Sequence, residues 1–228
     1  MHRLIRLFST SIGRKLVLAV TGLMLLGFLF GHMLGNMTLL QGPEAINSYA
    51  AWLQGHPALW FMRSGLALVF GIHVYVALAL ALENRSSRPI RYATSPTYQT
   101  SWASRYMVFS GLLVLAFVVY HLLHFTFGVV SLESYGALDS AGRHDVYAMV
   151  VNSFRNPWIC GGYVVAMNLV GFHLLHGIRS VFQTVGINHD SYNSTIRIAG
   201  LALVAIFVIG NCSLPILVFT GVIGLSGG

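Results

Sequence analysis

The 228-residue chain is 56% hydrophobic and only 8% charged, with a mean hydropathy of +0.72, against roughly 25% charge in an ordinary soluble domain. That balance excludes a soluble enzyme and makes the chain an integral membrane protein. Its formal net charge of +7 reads as membrane topology and a docking surface, so no nucleic-acid partner is expected.

A helix needs about 20 apolar residues to cross a hydrocarbon layer about 30 Å thick. Five stretches qualify, at about 16–40, 58–82, 106–130, 158–179 and 197–223. The expectation is an all-α membrane protein, a five-helix bundle forming one domain over 1–228. The opening MHRLIRLFSTSIGRK is basic enough for a signal peptide, but the apolar run behind it is about 25 residues long without a small-residue cleavage motif. It is read as a retained first span. In that span Gly27, Gly31 and Gly35 recur every four residues, a spacing that admits another backbone or a flat ligand. The segment LQGPEAINSYAAWLQGHP predicts a short interfacial helix, and Pro57 opens span two.

Span two ends at the polar cluster ENRSSRPIRY, and a loop rich in Ser, Thr and Pro leads to span three, ending in YHLLHFTFGVV. A longer polar loop over about 131–156 carries Glu133, Asp139, Arg143, His144, Asp145 and Arg155. Pro157 opens span four, which contains FHLLHG, and TVGINHDSYNSTIR leads to span five. Span five holds Pro215 but no histidine and is assigned a packing role. Cys160 and Cys212 stand apart with no CxxC or CxxCH, which argues against an iron–sulfur cluster or covalently attached haem in this chain.

Short cytoplasmic loops hold an excess of Lys and Arg. Arg3, Arg6, Arg14, Lys15, Arg85, Arg88, Arg91, Arg105, Arg179 and Arg197 fall on one side, ten of the thirteen basic residues. Only Arg63, Arg143 and Arg155 fall on the other. The N-terminus is therefore expected in the cytoplasm and the C-terminus outside.

Six of the ten histidines, His32, His73, His121, His124, His173 and His176, lie inside spans, where ionisable groups are costly and usually functional. The rise of about 1.5 Å per residue converts position along a span into height above its cytoplasmic end. His32 comes out at roughly 24 Å, His121 at roughly 22 Å and His124 at roughly 27 Å, whereas His73 is at roughly 14 Å, His173 at roughly 9 Å and His176 at roughly 4 Å. Two imidazoles that ligate one iron from opposite faces must be level. That pairs His32 with His121 and His73 with His173, two haems b stacked in one bundle, each held by two neutral histidines. His124 and His176 are left to line the haem edges or hydrogen-bond locally.

With those positions in hand, the stretches SIGRKLVLAVTGLMLLGFLFGHMLGNM, GIHVYVALALALENRSSRPIRY, ASRYMVFSGLLVLAFVVYHLLHF and GFHLLHGIRSVFQTVGI resemble the dihaem cytochrome b membrane anchor of succinate dehydrogenases and fumarate reductases. The resemblance covers four of the five spans. It implies axial histidines at His32 and His121 for the outer haem and at His73 and His173 for the inner one. It also implies a flavoprotein (FAD) subunit that interconverts succinate and fumarate, a cytoplasmic iron–sulfur subunit, and menaquinone as the quinone, in a multi-pass protein of a prokaryotic cytoplasmic membrane. By itself the chain would not act on succinate or fumarate. The membrane-embedded glutamate that some dihaem fumarate reductases carry two residues before the last axial histidine is replaced here by Gly171.

Haem propionates need cationic or hydroxyl partners at the membrane edge, and Arg105 and Arg179 are the candidates for the inner haem, with Arg14 or Lys15 as further options. Quinone turnover needs a proton group near a haem edge. Glu44 is the candidate at the outer haem, with Asn47, Tyr49, Trp52 and Arg63 close by in sequence. Two other readings stay open: the cytochrome b subunit of a membrane hydrogenase or formate dehydrogenase, and a transporter with a histidine proton relay.

Overall fold

The structure is a computed structural model that describes residues 10–86, 106–130 and 135–225. Arg105 and Glu133 lie outside the described residues, as do most of the basic N-terminal segment and the loop between spans two and three. Among the described residues, five helices are long and apolar enough to cross a membrane. They are α1 (Ser11–Asn36), α3 (Leu59–Ser86), α4 (Met107–His121), α6 (Pro157–Thr184) and α7 (Asp190–Phe219). A 3-10 turn, Met37–Gln41, extends α1, and a π-helical turn, Leu122–Thr126, extends α4. Two shorter helices, α2 (Pro43–Gly55) and α5 (Val146–Phe154), lie between spans at the end of the bundle opposite Ser11. We call that end the cap.

Local chemistry sets the helix starts. The Thr10 hydroxyl accepts from Gly13 N at 3.1 Å to cap α1, and Pro43 begins α2 after Gly42, whose φ of 102° suits only glycine. The Asp145 carboxylate accepts from Ala148 N at 2.9 Å and starts α5, inside a stretch expected to be loop. A helix of nine residues in a polar loop leaves little periodicity to read. Asn156 caps α6, whose first residue is Pro157. His189 Nδ1 accepts from Ser191 N at 3.2 Å, so α7 begins at Asp190, seven residues before the apolar run that marked span five.

The spans α1, α3, α4 and α6 pack pairwise around a ring, with α1 against α3 and α6, and α4 closely against α6 but only lightly against α3. That leaves α1 facing α4 across one diagonal and α3 facing α6 across the other. The helix without histidines, α7, lies outside the ring against α6 and α1. Its contacts are close. A Cβ added at Gly171 of α6 would sit 2.5 Å from Val208 Cγ2, and one added at Gly210 of α7 would sit 2.7 Å from Met33 Sδ.

The apolar core has two parts. One, under the cap, joins Leu39, Ile46, Tyr147, Val151, Phe154, Tyr163, Leu214 and Val218. The other, deeper in the bundle, joins Met33, Val170 and Phe207. At the opposite end Arg14 and Glu83 form an ion pair of 3.0 Å that ties α1 to α3.

Gly171 occupies the position of the glutamate discussed above, and it faces α7 rather than the interior of the ring. Gly171→Ala should cost about 1–3 kcal/mol, as overpacking does. Val208→Ala in the same chain should recover part of that loss, read as the unfolding temperature of the detergent-purified protein.

Candidate functional site

The four ring spans bring their histidines together across the two diagonals. His32 of α1 and His121 of α4 have ring centres 5.8 Å apart, with planes at 84°. Two metal–imidazole bonds of about 2 Å laid end to end separate ring centres by about 6 Å, so the spacing suits two axial ligands. On the other diagonal, His173 of α6 lies within electrostatic range of His73 of α3 and of His176 on its own helix. None of the four rings His32, His73, His121 and His173 is buried, whereas His124 is 1% exposed. The HLLH copy on α4 therefore presents one histidine toward the interior space and buries the other in protein.

Neighbouring helices decide which ring nitrogen carries the proton. Thr21 Oγ1, on α1, lies 3.1 Å from His73 Nδ1. The Thr21 hydroxyl also lies 2.8 Å from the Val17 carbonyl and 3.2 Å from that of Leu18, and carbonyls only accept. With its proton spent there, the hydroxyl accepts from His73 Nδ1–H. Ser110 on α4 repeats the arrangement: its hydroxyl donates to the Met107 carbonyl at 2.9 Å and lies 3.1 Å from His173 Nδ1. Both hydroxyls are buried. In each case Nε2 keeps its lone pair, the state a metal ligand needs, and the engaged Nδ1–H fixes the ring's orientation.

A glycine follows each hydroxyl. A Cβ at Gly22 would meet His73 Cε1 at 3.4 Å and a Cβ at Gly111 would meet His173 Cε1 at 3.3 Å, so Thr21-Gly22 and Ser110-Gly111 are two copies of one cradle. Sequence reading passed over both, because a small polar residue in a span is unremarkable. Its trace in the sequence is hydroxyl-Gly in the first half of spans one and three. Of the α1 glycines, Gly35 makes room for the Tyr49 ring of α2, which a Cβ would approach to 2.8 Å, while Cβ atoms at Gly27 and Gly31 would meet nothing within 4 Å.

The donor set suits haem better than a caged ion. Among the described residues no three His, Cys, Asp or Glu side chains converge, whereas zinc sites take three or four protein ligands. The donors come two by two, His32 with His121 and His73 near His173, and two imidazoles are what a haem iron can take from protein.

The remaining sequence candidates lie elsewhere. Arg179 lines a groove of about 140 Å³ between the ends of α6 and α7, with Gln183, Asn188, Asn193 and Arg197, and it also lies within electrostatic range of His176. Glu44 belongs to the cap. Its carboxylate takes both arms of Arg143, NH1 at 2.9 Å and NH2 at 2.7 Å, while Arg143 Nε donates to Asp139 at 2.8 Å. Asn47, 1% exposed, donates to Asp139 and to Asp145, and its carbonyl oxygen accepts from Tyr147 N at 3.0 Å. Arg143 and Ser48 hold the Glu44 carboxyl down to about 2. Burial opposes ionisation of Asp139, yet hydrogen bonds from Arg143 and Ala141 still leave its carboxyl below the ordinary range. At neutral pH Glu44 is thus an anion bound to Arg143.

Among the described residues, five long apolar helices, four of them carrying histidines, define a multi-pass helical membrane protein. The chain belongs to the succinate dehydrogenase/fumarate reductase transmembrane subunit family, whose model matches residues 81–210, and it is a membrane subunit of such an enzyme. No curated protein and no solved structure matches the chain.

The cap's pH response follows from the two depressed carboxyls. Their contribution is present in full above the unfolded-state values near 4 and is lost as pH falls through the lower folded-state values, toward about 2 for Glu44. Hydrogen exchange at Ala141 and Arg143 should stay slow from neutral pH to about 5 and accelerate below, once corrected for the intrinsic rate. Arg143→Met should move the onset of that acceleration to higher pH and raise the rates overall, because the side-chain bonds to Glu44 and Asp139 go while the two backbone bonds to Asp139 remain.

Proposed function

We propose that this subunit carries electrons between a cytoplasmic iron–sulfur partner and menaquinone through two haems b. A flavoprotein subunit would complete the complex as the site of succinate and fumarate chemistry. His73 and His173 would hold the haem nearer the Ser11 end, for which the excess of basic residues supports a cytoplasmic side, and His32 and His121 the haem nearer the cap. The supporting observation is that His32 and His121 face each other across one diagonal while His73 and His173 come within electrostatic range on the other, and that Thr21 and Ser110 lie 3.1 Å from Nδ1 of His73 and His173. Bound haem supplies one-electron transfer.

The protein's own work is positional and electrostatic. The spans carry the four histidines at membrane depth, where a charged side chain is costly. Thr21 and Ser110 take Nδ1–H, which orients each ring and raises the basicity of the opposite nitrogen. The basic end offers Arg179 and Arg197, with Arg105 beyond the described residues, both to an acidic docking surface and to anionic propionates, while Arg14 is paired with Glu83. At the cap end Glu44 is bound to Arg143, and a quinone drawing protons from that carboxylate would have to compete with the pair.

Pyridine haemochrome on the purified chain should give two haems b, and none would return the family role to simple anchoring. His121→Ala and His32→Ala should each remove the same single haem, and His73→Ala and His173→Ala the other. A shared loss in a different combination would break the pairing.

Thr21→Val and Ser110→Ala keep their volumes but lose the acceptor. Both haems should remain, and one midpoint potential should rise while the other stays fixed, because a less basic imidazole stabilises the oxidised iron less. A redox titration resolves the two.

A further inference from the structure

The α4 copy of HLLH holds a histidine that the proposed function leaves unused. Both nitrogens of His124 have partners, with Nε2 3.1 Å from Ser153 Oγ of α5 and Nδ1 2.9 Å from the Tyr163 hydroxyl of α6. The direction of each bond can be fixed from the far end. The Ser153 hydroxyl donates to the Met149 carbonyl at 2.8 Å, so its oxygen accepts from His124 Nε2–H. His124 is 1% exposed and stacked on Phe125, where an imidazolium would be costly. The ring is therefore neutral, and its Nδ1 lone pair accepts the Tyr163 proton. With that proton spent, the Tyr163 oxygen accepts, and the donor facing it at 3.4 Å is His121 Nδ1–H. His121 is left with a bare Nε2.

We propose that Ser153, His124 and Tyr163 form a one-directional hydrogen-bond relay that holds His121 in the tautomer and orientation of a metal ligand, which makes His124 a positioning residue for the cap-end haem. The inference rests on the haem reading above. Rigid surroundings support the relay. Tyr163 is wedged among Phe154, Phe117 and Phe125, with ring centres at 5.1, 5.3 and 5.6 Å, and His124 stacks on Phe125 at 4.0 Å. The π-helical turn Leu122–Thr126 begins directly after His121. Its wider winding turns His124 further from His121 than an α-helix would, toward α5 and α6. The α6 copy lacks the device: His173 already has Ser110, and His176 is only half-buried.

The test uses the full chain with both haems, the inner one serving as internal standard. His124→Leu removes the acceptor for Tyr163, and Tyr163→Phe removes the acceptor for His121. His124→Asn places an amide oxygen where Nδ1 was. Under the proposal, His124→Leu and Tyr163→Phe keep two haems, raise the midpoint potential of the cap-end haem and shift its low-spin electron paramagnetic resonance signal. The inner haem is unmoved, and His124→Asn returns both readouts toward wild type.

Unmoved spectra and potentials in all three variants would overturn the relay. So would loss of the cap-end haem in His124→Leu with no response in Tyr163→Phe, which would mark His124 as a ligand itself. If His124→Leu fails to insert, Tyr163→Phe decides alone, because its ring keeps its packing. A wild-type chain without haem would overturn the parent reading, whereas haems that ignore Tyr163 overturn only the relay.

Discussion

An imidazole placed in hydrocarbon must have both nitrogens answered, because no water is present to do it and an unsatisfied polar group there costs several kcal/mol. Much of this bundle can be derived from that requirement. Thr21 and Ser110 answer one nitrogen each from a neighbouring helix, and Tyr163 faces a third. Serine and threonine in a helix commonly donate back to a carbonyl three or four residues earlier, so at Thr21 and Ser110 the hydroxyl oxygen is free to accept only. Each ring is left with one lone pair. On one diagonal His32 and His121 face each other, and on the other His73 lies within electrostatic range of His173.

The packing that makes such an interior is lopsided. Close approaches lie where α7 meets the ring, at Gly171 against Val208 and at Gly210 against Met33. The buried cluster of Met33, Val170 and Phe207 fills that side. Toward α3 and α4 the ring closes only lightly, and Cβ atoms at Gly27 and Gly31 would meet nothing. A fifth span without a histidine thus works as a wall that anchors α1 and α6, so that the remaining helices can stand apart without the bundle collapsing. The same wall explains why Gly171 carries no acidic side chain, since a Cβ there would already collide with α7.

The five spans were legible because a 20-residue apolar run has few other fates, and rise per residue was enough to put His32 and His121 at one height. Span five was read short at its start because its first turn, from Asp190, is polar. Three things were not legible. α5 is a short helix in a charged stretch, started by a single carboxylate. The Glu44–Arg143 pair joins residues 99 apart in sequence, a contact that no local pattern announces. Thr21, Ser110 and Tyr163 look like ordinary span residues until a neighbouring helix is set beside them, since their role lies in the direction of a hydrogen bond and not in residue type. The same holds for the two HLLH copies, which are identical in letters. They differ because a π-helical turn follows the first histidine of one copy and a regular helix follows the other.

The cap and the interior are mechanically one system. Arg143 binds Glu44 of α2 and Asp139 together; Asp139 accepts from Asn47, and Asn47 donates also to Asp145, the residue that starts α5. Eight residues along, α5 presents Ser153 to His124, and through Tyr163 that line ends at His121. Every member from Asn47 to Tyr163 is tied by a polar bond or a helix turn, and Asn47, Ser153, His124 and Tyr163 are buried. Apolar contacts alone would tolerate small slides along α5, because dispersion is non-directional. Hydrogen bonds do not, since they weaken steeply with angle. Placing polar residues in an otherwise apolar cap therefore gives α5 a single register, and through it gives the His121 ring a single orientation.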